Sequence, residues 1–250
     1  MKVAAIVQAR MGSTRLPGKV LKKVLNRPLL AYQLERVKRS LFTDQIVIAT
    51  TDTAKDDPLV SWCEKNGVTY YRGSETDVLQ RYYRAALSVK AETVIRLTAD
   101  CPLIDPFQID NVVNKYLSLK DDHPLQYVSN TLKRTFPRGM DTEIFSYKAL
   151  EAAHNGAKKP NEREHVTKYM IDHPDIFRLT NVNYSRDESN HRWTVDTTED
   201  FLLVKKILEA LYPRNPYFTL ENILELLEKH PEWQKINAHI LQKKSEEENE

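Results

Sequence analysis

Between Val3 and Tyr116 short apolar runs alternate with stretches of helical periodicity, and this alternation restricts the fold more than any other feature of the chain. Val3 to Gln8 is the first run, ended by a loop that contains glycine and proline. From Pro28 onward Leu30, Leu34, Val37 and Leu41 recur at helical spacing. Ile46 to Ala49 reads as a second, buried strand, followed by a Thr/Asp-rich turn and a helix opening near Pro58, where proline suits the first turn. Val68 to Tyr71 is a third strand, Val78, Tyr82, Ala85 and Val89 a helical stripe, and Thr93 to Leu97 a fourth strand. Ile109, Val113 and Tyr116 continue the alternation with a helix. Parallel neighbours need crossovers, so this order predicts an α/β fold with a mostly parallel sheet and helices on both faces.

The second half is less regular. It predicts strands near Tyr127, at Glu143 to Phe145 and at His191 to Val195, with helices over Lys148 to His154 and Glu162 to Asp172. Three helical patterns follow, the clearest carried by Phe201, Val204, Leu208 and Leu211. Neither an internal repeat nor a long linker interrupts the chain, so 1–242 is expected to form a single domain of mixed sheet, and 243–250 a charged, flexible tail. With 37 Lys+Arg against 35 Asp+Glu, the formal charge of +2 argues against a nucleic-acid partner. At 41% hydrophobic and 29% charged residues, the chain is globular and not chiefly disordered. No apolar run approaches the ~20 residues that cross a bilayer, and Gln8 and Arg10 cut short the opening run as a signal peptide, so no membrane association and a cytoplasmic location are expected. Cys63 and Cys101 suggest neither a disulfide framework nor a thiolate metal cluster.

Gln8-Ala9-Arg10-Met11-Gly12-Ser13-Thr14-Arg15-Leu16-Pro17-Gly18-Lys19 follows the first strand, at the carboxyl end where open α/β sheets bind ligands. Arg10, Arg15 and Lys19 supply positive charge, while Gly12 and Gly18 let backbone N–H groups approach a phosphate closely. The spacing is not that of a Walker loop, because five residues separate the glycines and Val20 stands where the magnesium-binding hydroxyl belongs. Nor does it match the three-glycine dinucleotide pattern. The alternative is a polar, solvated βα connection.

This loop resembles the opening signature of the sugar-acid cytidylyltransferases, the 3-deoxy-octulosonate and acylneuraminate group, and the whole chain is most similar to the spore coat polysaccharide biosynthesis protein F branch. The resemblance implies a nucleotide-diphospho-sugar transferase-like fold and a loop that wraps the triphosphate of CTP. Arg10 and Lys19 then become phosphate contacts, with Ala9, Gly12, Ser13 and Arg15 beside them.

Asp100, in Asp100-Cys101-Pro102-Leu103-Ile104-Asp105, follows the fourth strand and projects from the same sheet edge. Nucleotidyl transfer needs a hard cation, and a carboxylate there suits Mg²⁺, although an N-cap or turn role fits the residue equally. Asp105 reads as the cap of the next helix, with Pro106 in its first turn. In Arg192-Trp193-Thr194-Val195-Asp196-Thr197-Thr198-Glu199-Asp200, a helix cap accounts for Glu199 and Asp200 but less well for Asp196. Relatives carry Val/Ile-Asp-Thr-Pro-Glu-Asp here, so the resemblance makes Asp100 and Asp196 the metal pair, with Thr198 replacing the proline. Glycosyltransferases of similar fold usually show Asp-x-Asp, which Asp100-Cys101-Pro102 does not.

Other segments carry weaker signals. Ser74 and Asp77 fit a helix N-cap and a nucleotide contact equally, and Thr51 with Asp52 reads as either turn or pocket rim. Arg81, Arg138 and Arg163 each suit a substrate carboxylate, and by resemblance Asp141 and Glu143 of Gly139-Met140-Asp141-Thr142-Glu143 face the sugar. His165 as an acid or base and Cys101 as a nucleophile find less support than a surface or interface imidazole and a small buried side chain. The resemblance thus implies a Mg²⁺-dependent enzyme that makes a CMP-sugar and pyrophosphate from CTP and an acidic sugar. Arg10, Lys19 and Asp100 would be catalytic, with 125–200 forming the sugar-binding part and a homodimer contact. The alternative is a glycosyltransferase of similar fold using a nucleotide-sugar donor.

Overall fold

The computed structural model describes residues 2–119 and 123–241. The predicted tail at 243–250 lies outside the described residues. In chain order the strands are β1 (Val3–Gln8), β2 (Lys23–Val24), β3 (Arg27–Pro28), β4 (Gln45–Thr51), β5 (Tyr70–Gly73), β6 (Thr93–Thr98), β7 (Gln126–Ser129), β8 (Glu143–Ser146) and β9 (Arg178–Asn181). The helices are α1 (Leu29–Val37), α2 (Asp57–Lys65), α3 (Val78–Ser88), α4 (Pro106–Leu117), α5 (Tyr147–Gly156), α6 (Pro160–Glu164), α7 (Lys168–Asp172), α8 (Thr198–Leu211), α9 (Leu220–Lys229) and α10 (Pro231–Gln234).

Seven strands form one sheet in the order β5-β4-β1-β6-β8-β7-β9. β1 runs parallel to β4 and β6, and β8 runs antiparallel to both β6 and β7. Residues alternate across β1 as strand geometry requires. Val3, Ala5 and Val7 pack with α1, α2 and α4 on one face, while Ala4 and Ile6 pack with α3 and α5 on the other. A third apolar cluster joins α8 and α9 to Leu29 and Tyr32 of α1, around the buried Trp193. From β1 the chain winds first toward β4 and β5, and later to the opposite side at β6. That reversal opens a crevice beyond the carboxyl ends of β1 and β6, where Gln8 pairs with Thr98.

Several expectations need correction. α1 stops at Val37, so Leu41 falls outside the helix and is 86% exposed. The single helix expected over Glu162 to Asp172 is two short ones, α6 and α7, and the break brings the Thr167 hydroxyl 3.1 Å from Glu143, to which it donates. His191 to Val195 is extended but is no strand of the sheet. It makes one isolated bridge, Arg138 with Arg192, and the Trp193 N–H donates to the Arg138 carbonyl at 2.7 Å. The β2–β3 hairpin and the edge strand β9 were not anticipated. The hairpin turns through Leu25 and Asn26, with φ of 48° and 62°, on strands of two residues that carry no periodicity. β9 presents only half-buried or exposed residues.

Candidate active site

The loop after β1 is shaped from beneath by a carboxylate. Asp56 accepts the Met11 N–H at 2.6 Å on one oxygen, and the Thr51 N–H and the Thr50 and Thr51 hydroxyls, at 3.0, 2.9 and 2.6 Å, on the other. Burial pushes its pKa up, but hydrogen bonds from Thr51, Met11 and Thr50 outweigh that and leave it below the usual carboxylate range. Gly18, at φ +68°, turns the loop back so that its N–H donates to the Met11 carbonyl at 2.9 Å. Lys19 then opens a single 3₁₀ turn aimed back across the sheet edge.

There the Lys19 ammonium bridges two carboxylates, 3.1 Å from Asp100 and 2.7 Å from Asp196. Arg15 reaches the second oxygen of Asp196 at 3.1 Å, and Arg192 reaches it at 2.6 Å. Burial alone would lower the Lys19 pKa, yet the charges of Asp100 and Asp196 raise it, so the ammonium stays protonated. Asp100 mirrors this. Burial pushes its carboxyl up, but the Lys19 charge and hydrogen bonds from Thr98, Lys19 and Cys101 bring it below its ordinary value. Two backbones converge to make the pair. Asp100 follows β6, and its carbonyl accepts the Val195 N–H at 2.8 Å, which fixes the segment leading to Asp196. Behind Asp196 the fully buried Asp200 accepts its backbone N–H at 3.0 Å and the Arg192 Nε–H at 3.0 Å. Thr197 and Asp200 also close a capping box at the start of α8.

A cavity of about 960 Å³ spreads from this pair. Ala9, Arg10, Ser13, Arg15 and Lys19 line it from the first loop, together with Asp100 and Asp196. Asp77 and Arg81 line the wall at the start of α3, and Arg163 the wall at α6, where it pairs with Asp77 at 2.6 Å. Gly12 is not among the lining residues, and a Cβ added there would lie 3.8 Å from Glu75. The remaining predicted positions are not brought to the cavity wall. Thr51 is buried beneath the loop on Asp56. The Ser74 hydroxyl accepts the Asp77 N–H at 3.0 Å, and Asp77 in turn caps α3 by accepting the Gln80 N–H at 2.9 Å. Arg138 pairs with the 191–193 segment through its backbone, and Asp141 is held by Arg134 at 2.6 and 2.8 Å. Glu143 sits one strand behind the floor, 2.8 Å from Arg96.

Arg96 itself lines the floor with Gln8 and Thr98, and Lys158 and His165 join Arg163 on the α6 wall. Arg96 was missed because a lone arginine inside an apolar strand gives no local signal. Only the β6–β8 pairing, which sets it opposite Glu143, reveals its place. Cys101 is buried, and burial raises its thiol pKa well above the ordinary value, the opposite of what a nucleophile needs. Among the described residues no group of three or more His, Cys, Asp or Glu side chains gathers at a metal-binding distance.

The sequence profile of the family described as Cytidylyltransferase matches residues 4–244. The chain belongs to the cytidylyltransferase family. It is 34% identical over 234 residues to the spore coat polysaccharide biosynthesis protein SpsF of Bacillus subtilis, covering 91% of this chain and 94% of that protein. A solved cytidylyltransferase from Leptospira borgpetersenii superimposes with a TM-score of 0.88 at 35% identity, covering 98% of this chain and all of the other. The 3-deoxy-manno-octulosonate cytidylyltransferase of Geobacter sulfurreducens matches over 113 residues at 31% identity, 45% of this chain and 44% of that enzyme. Family membership places the loop, the carboxylate pair and the cavity in a nucleotidyltransferase, and no helix among the described residues is long and apolar enough to cross a membrane.

Proposed function

We propose that this cytidylyltransferase makes a CMP-sugar and pyrophosphate from CTP and an acidic sugar, with Mg²⁺ as cofactor, for surface or spore-coat polysaccharide synthesis. The observation that carries the reading is the convergence of Asp100 and Asp196 on the single cationic atom of Lys19 beneath a donor-rich loop. Two carboxylate oxygens around one cation form a hard-oxygen donor set, which suits a divalent cation completed by water and phosphate oxygens. Bound there, Mg²⁺ would neutralise and align the phosphate oxygens.

The protein's own residues do the rest by position and charge. A hydroxyl of the sugar attacks the α-phosphorus of CTP in line, the bond to the β-phosphate oxygen breaks, pyrophosphate leaves and the hydroxyl proton passes to solvent. Lys19, turning from the carboxylates to the phosphates, and Arg10 take up charge on the leaving pyrophosphate. Ala9, Gly12, Ser13 and Arg15 hold the triphosphate in the loop, and Arg192 with Asp200 keeps Asp196 in place. Lys158 and Arg163 on the α6 wall, beside Glu164 and His165, suit the acidic sugar better than Arg138, Asp141 or Glu143, which do not line the cavity. We assign 125–200 to sugar binding, and to a homodimer contact on the strength of the family resemblance. A substrate drawn from the nucleotide pool agrees with a cytoplasmic location.

Pyrophosphate release tests the reading. The purified protein with CTP, Mg²⁺ and a panel of sugar acids that includes 3-deoxy-octulosonate and N-acetylneuraminate is expected to release pyrophosphate with CTP in preference to UTP, GTP or ATP. Activity on a UDP- or GDP-sugar donor without pyrophosphate release would replace it with glycosyl transfer.

A further inference from the structure

The wall of the cavity formed by α6 stands on a helix of five residues, too short to be stable alone, so its position depends on the side chains that tie it down. Glu162 accepts the Lys158 and Lys159 N–H groups at 2.9 and 3.1 Å and closes the first turn. Just beyond the helix, Thr167 donates to Glu143 of β8. Arg163 supplies the longest reach. One of its terminal nitrogens donates to the His154 carbonyl, near the end of α5, at 2.7 Å, and the other to the Asp77 carboxylate at 2.6 Å. The second nitrogen also lies 3.2 Å from His154 Nδ1. Burial and the Arg163 charge lower the His154 pKa, which leaves the imidazole neutral at pH 7 and able to accept that bond. His154 stacks on Tyr83 of α3, with ring centroids 4.4 Å apart.

Asp77 caps α3 with its other oxygen, which accepts the Gln80 N–H, so Arg163 joins the α6 wall to the first turn of the α3 wall. The pair is partly buried, with side chains 18% and 27% exposed, and is screened less than an ion pair on the open surface. Both terminal nitrogens of Arg163 are thus committed to protein acceptors, and turning to a substrate would cost it those bonds. Lys158, on the same wall, forms no ion pair among the described residues, and its ammonium donates to the Asn155 carbonyl at 3.0 Å. We propose that the Asp77–Arg163 pair is a clasp that fixes the spacing of the α3 and α6 walls. Arg163 is then a positioning residue for the acidic substrate, and Lys158 is the α6 cation left to meet the substrate carboxylate. The inference rests on the sugar-acid reading given above and narrows the α6 contribution to one side chain.

Asparagine caps a helix about as well as aspartate, so Asp77→Asn removes the charge of the clasp while keeping the α3 cap, and it serves if Arg163→Gln folds poorly. Hydrogen exchange of the ligand-free full chain, read by mass spectrometry over 158–168, is the first measurement. The α6 amides are expected to exchange about 3- to 10-fold faster in either variant, and no faster in the double variant than in Arg163→Gln alone. With a sugar acid that the wild type turns over, the KM for that acid should rise by about the same factor in both single variants while kcat changes less. Arg163→Lys, which keeps the charge, should recover part of the loss. Unchanged exchange across α6 in both variants overturns the clasp, and so do losses that add in the double variant. A KM raised by Arg163→Gln but not by Asp77→Asn overturns it too, since that pattern belongs to an arginine gripping the substrate itself. If the wild type turns over no sugar acid, the sugar-acid reading has failed, and exchange across α6 still decides the clasp.

Discussion

Asp56 and Lys19 illustrate how single side chains set the site, one from below and one within it. Asp56 replaces three threonine interactions and a loop N–H with one buried acceptor, so Asp56→Asn puts an amide among donors and should cost about 1–3 kcal/mol at neutral pH. Its folded pKa lies below 3.8, so the carboxylate's contribution is complete above that value and is lost as the pH falls through the lower, folded one. Urea melts of the two proteins should therefore draw together below pH 3.8 and stay apart above it. Asp100→Asn and Lys19→Ala, whose side chains face the cavity, should keep the wild-type fold and lose at least about 100-fold in turnover. Near-normal pyrophosphate release by both would remove them from the catalytic set. Lys19 was legible as a cation of the glycine-containing loop after β1, whereas Asp100 and Asp196 lie just after β6 and just before α8, where a cap or turn role competes, and it was the family resemblance that paired them. Arg96 was not legible, because its meaning depends on a partner 47 positions away.

At the scale of elements, the segment 191–196 acts as a strut and not as a strand. It is held by individual bonds to Arg138 and Asp100, and Gly139 allows the close approach. A Cβ at Gly139 would lie 2.8 Å from the Trp193 carbonyl carbon, and its φ of +106° disfavours other residues. Gly139→Ala should destabilise the fold by about 1–3 kcal/mol and displace Asp196. The check is a lower melting temperature together with a drop in kcat, since loss of stability alone would not change kcat of the folded enzyme. The alternation of β1, β4 and β6 with their helices was readable because both faces of those strands are buried and their periodicities are clean. β9, the β2–β3 hairpin and the strut were not, because pairings distant in sequence, rather than local pattern, hold them in place.

On the scale of the whole molecule, three apolar clusters fix the sheet and leave the crevice rim to polar contacts. Ligand binding should therefore appear as added stability without refolding. Mg²⁺ with CTP at a hundred times its dissociation constant should add about 2.7 kcal/mol, or about 5–10 °C in melting temperature at this chain length. Mg²⁺ alone should add little, which a melt in millimolar MgCl₂ checks. The reason lies in the lysine already seated between Asp100 and Asp196. At rest the carboxylates own a tethered counter-ion, so on the proposed reading Asp100 and Asp196 would hold a divalent ion only once Lys19 had turned from them to the triphosphate. The proposed reading then expects nucleotide and metal to bind together rather than metal first, with Lys19 returning to the carboxylates once the site empties.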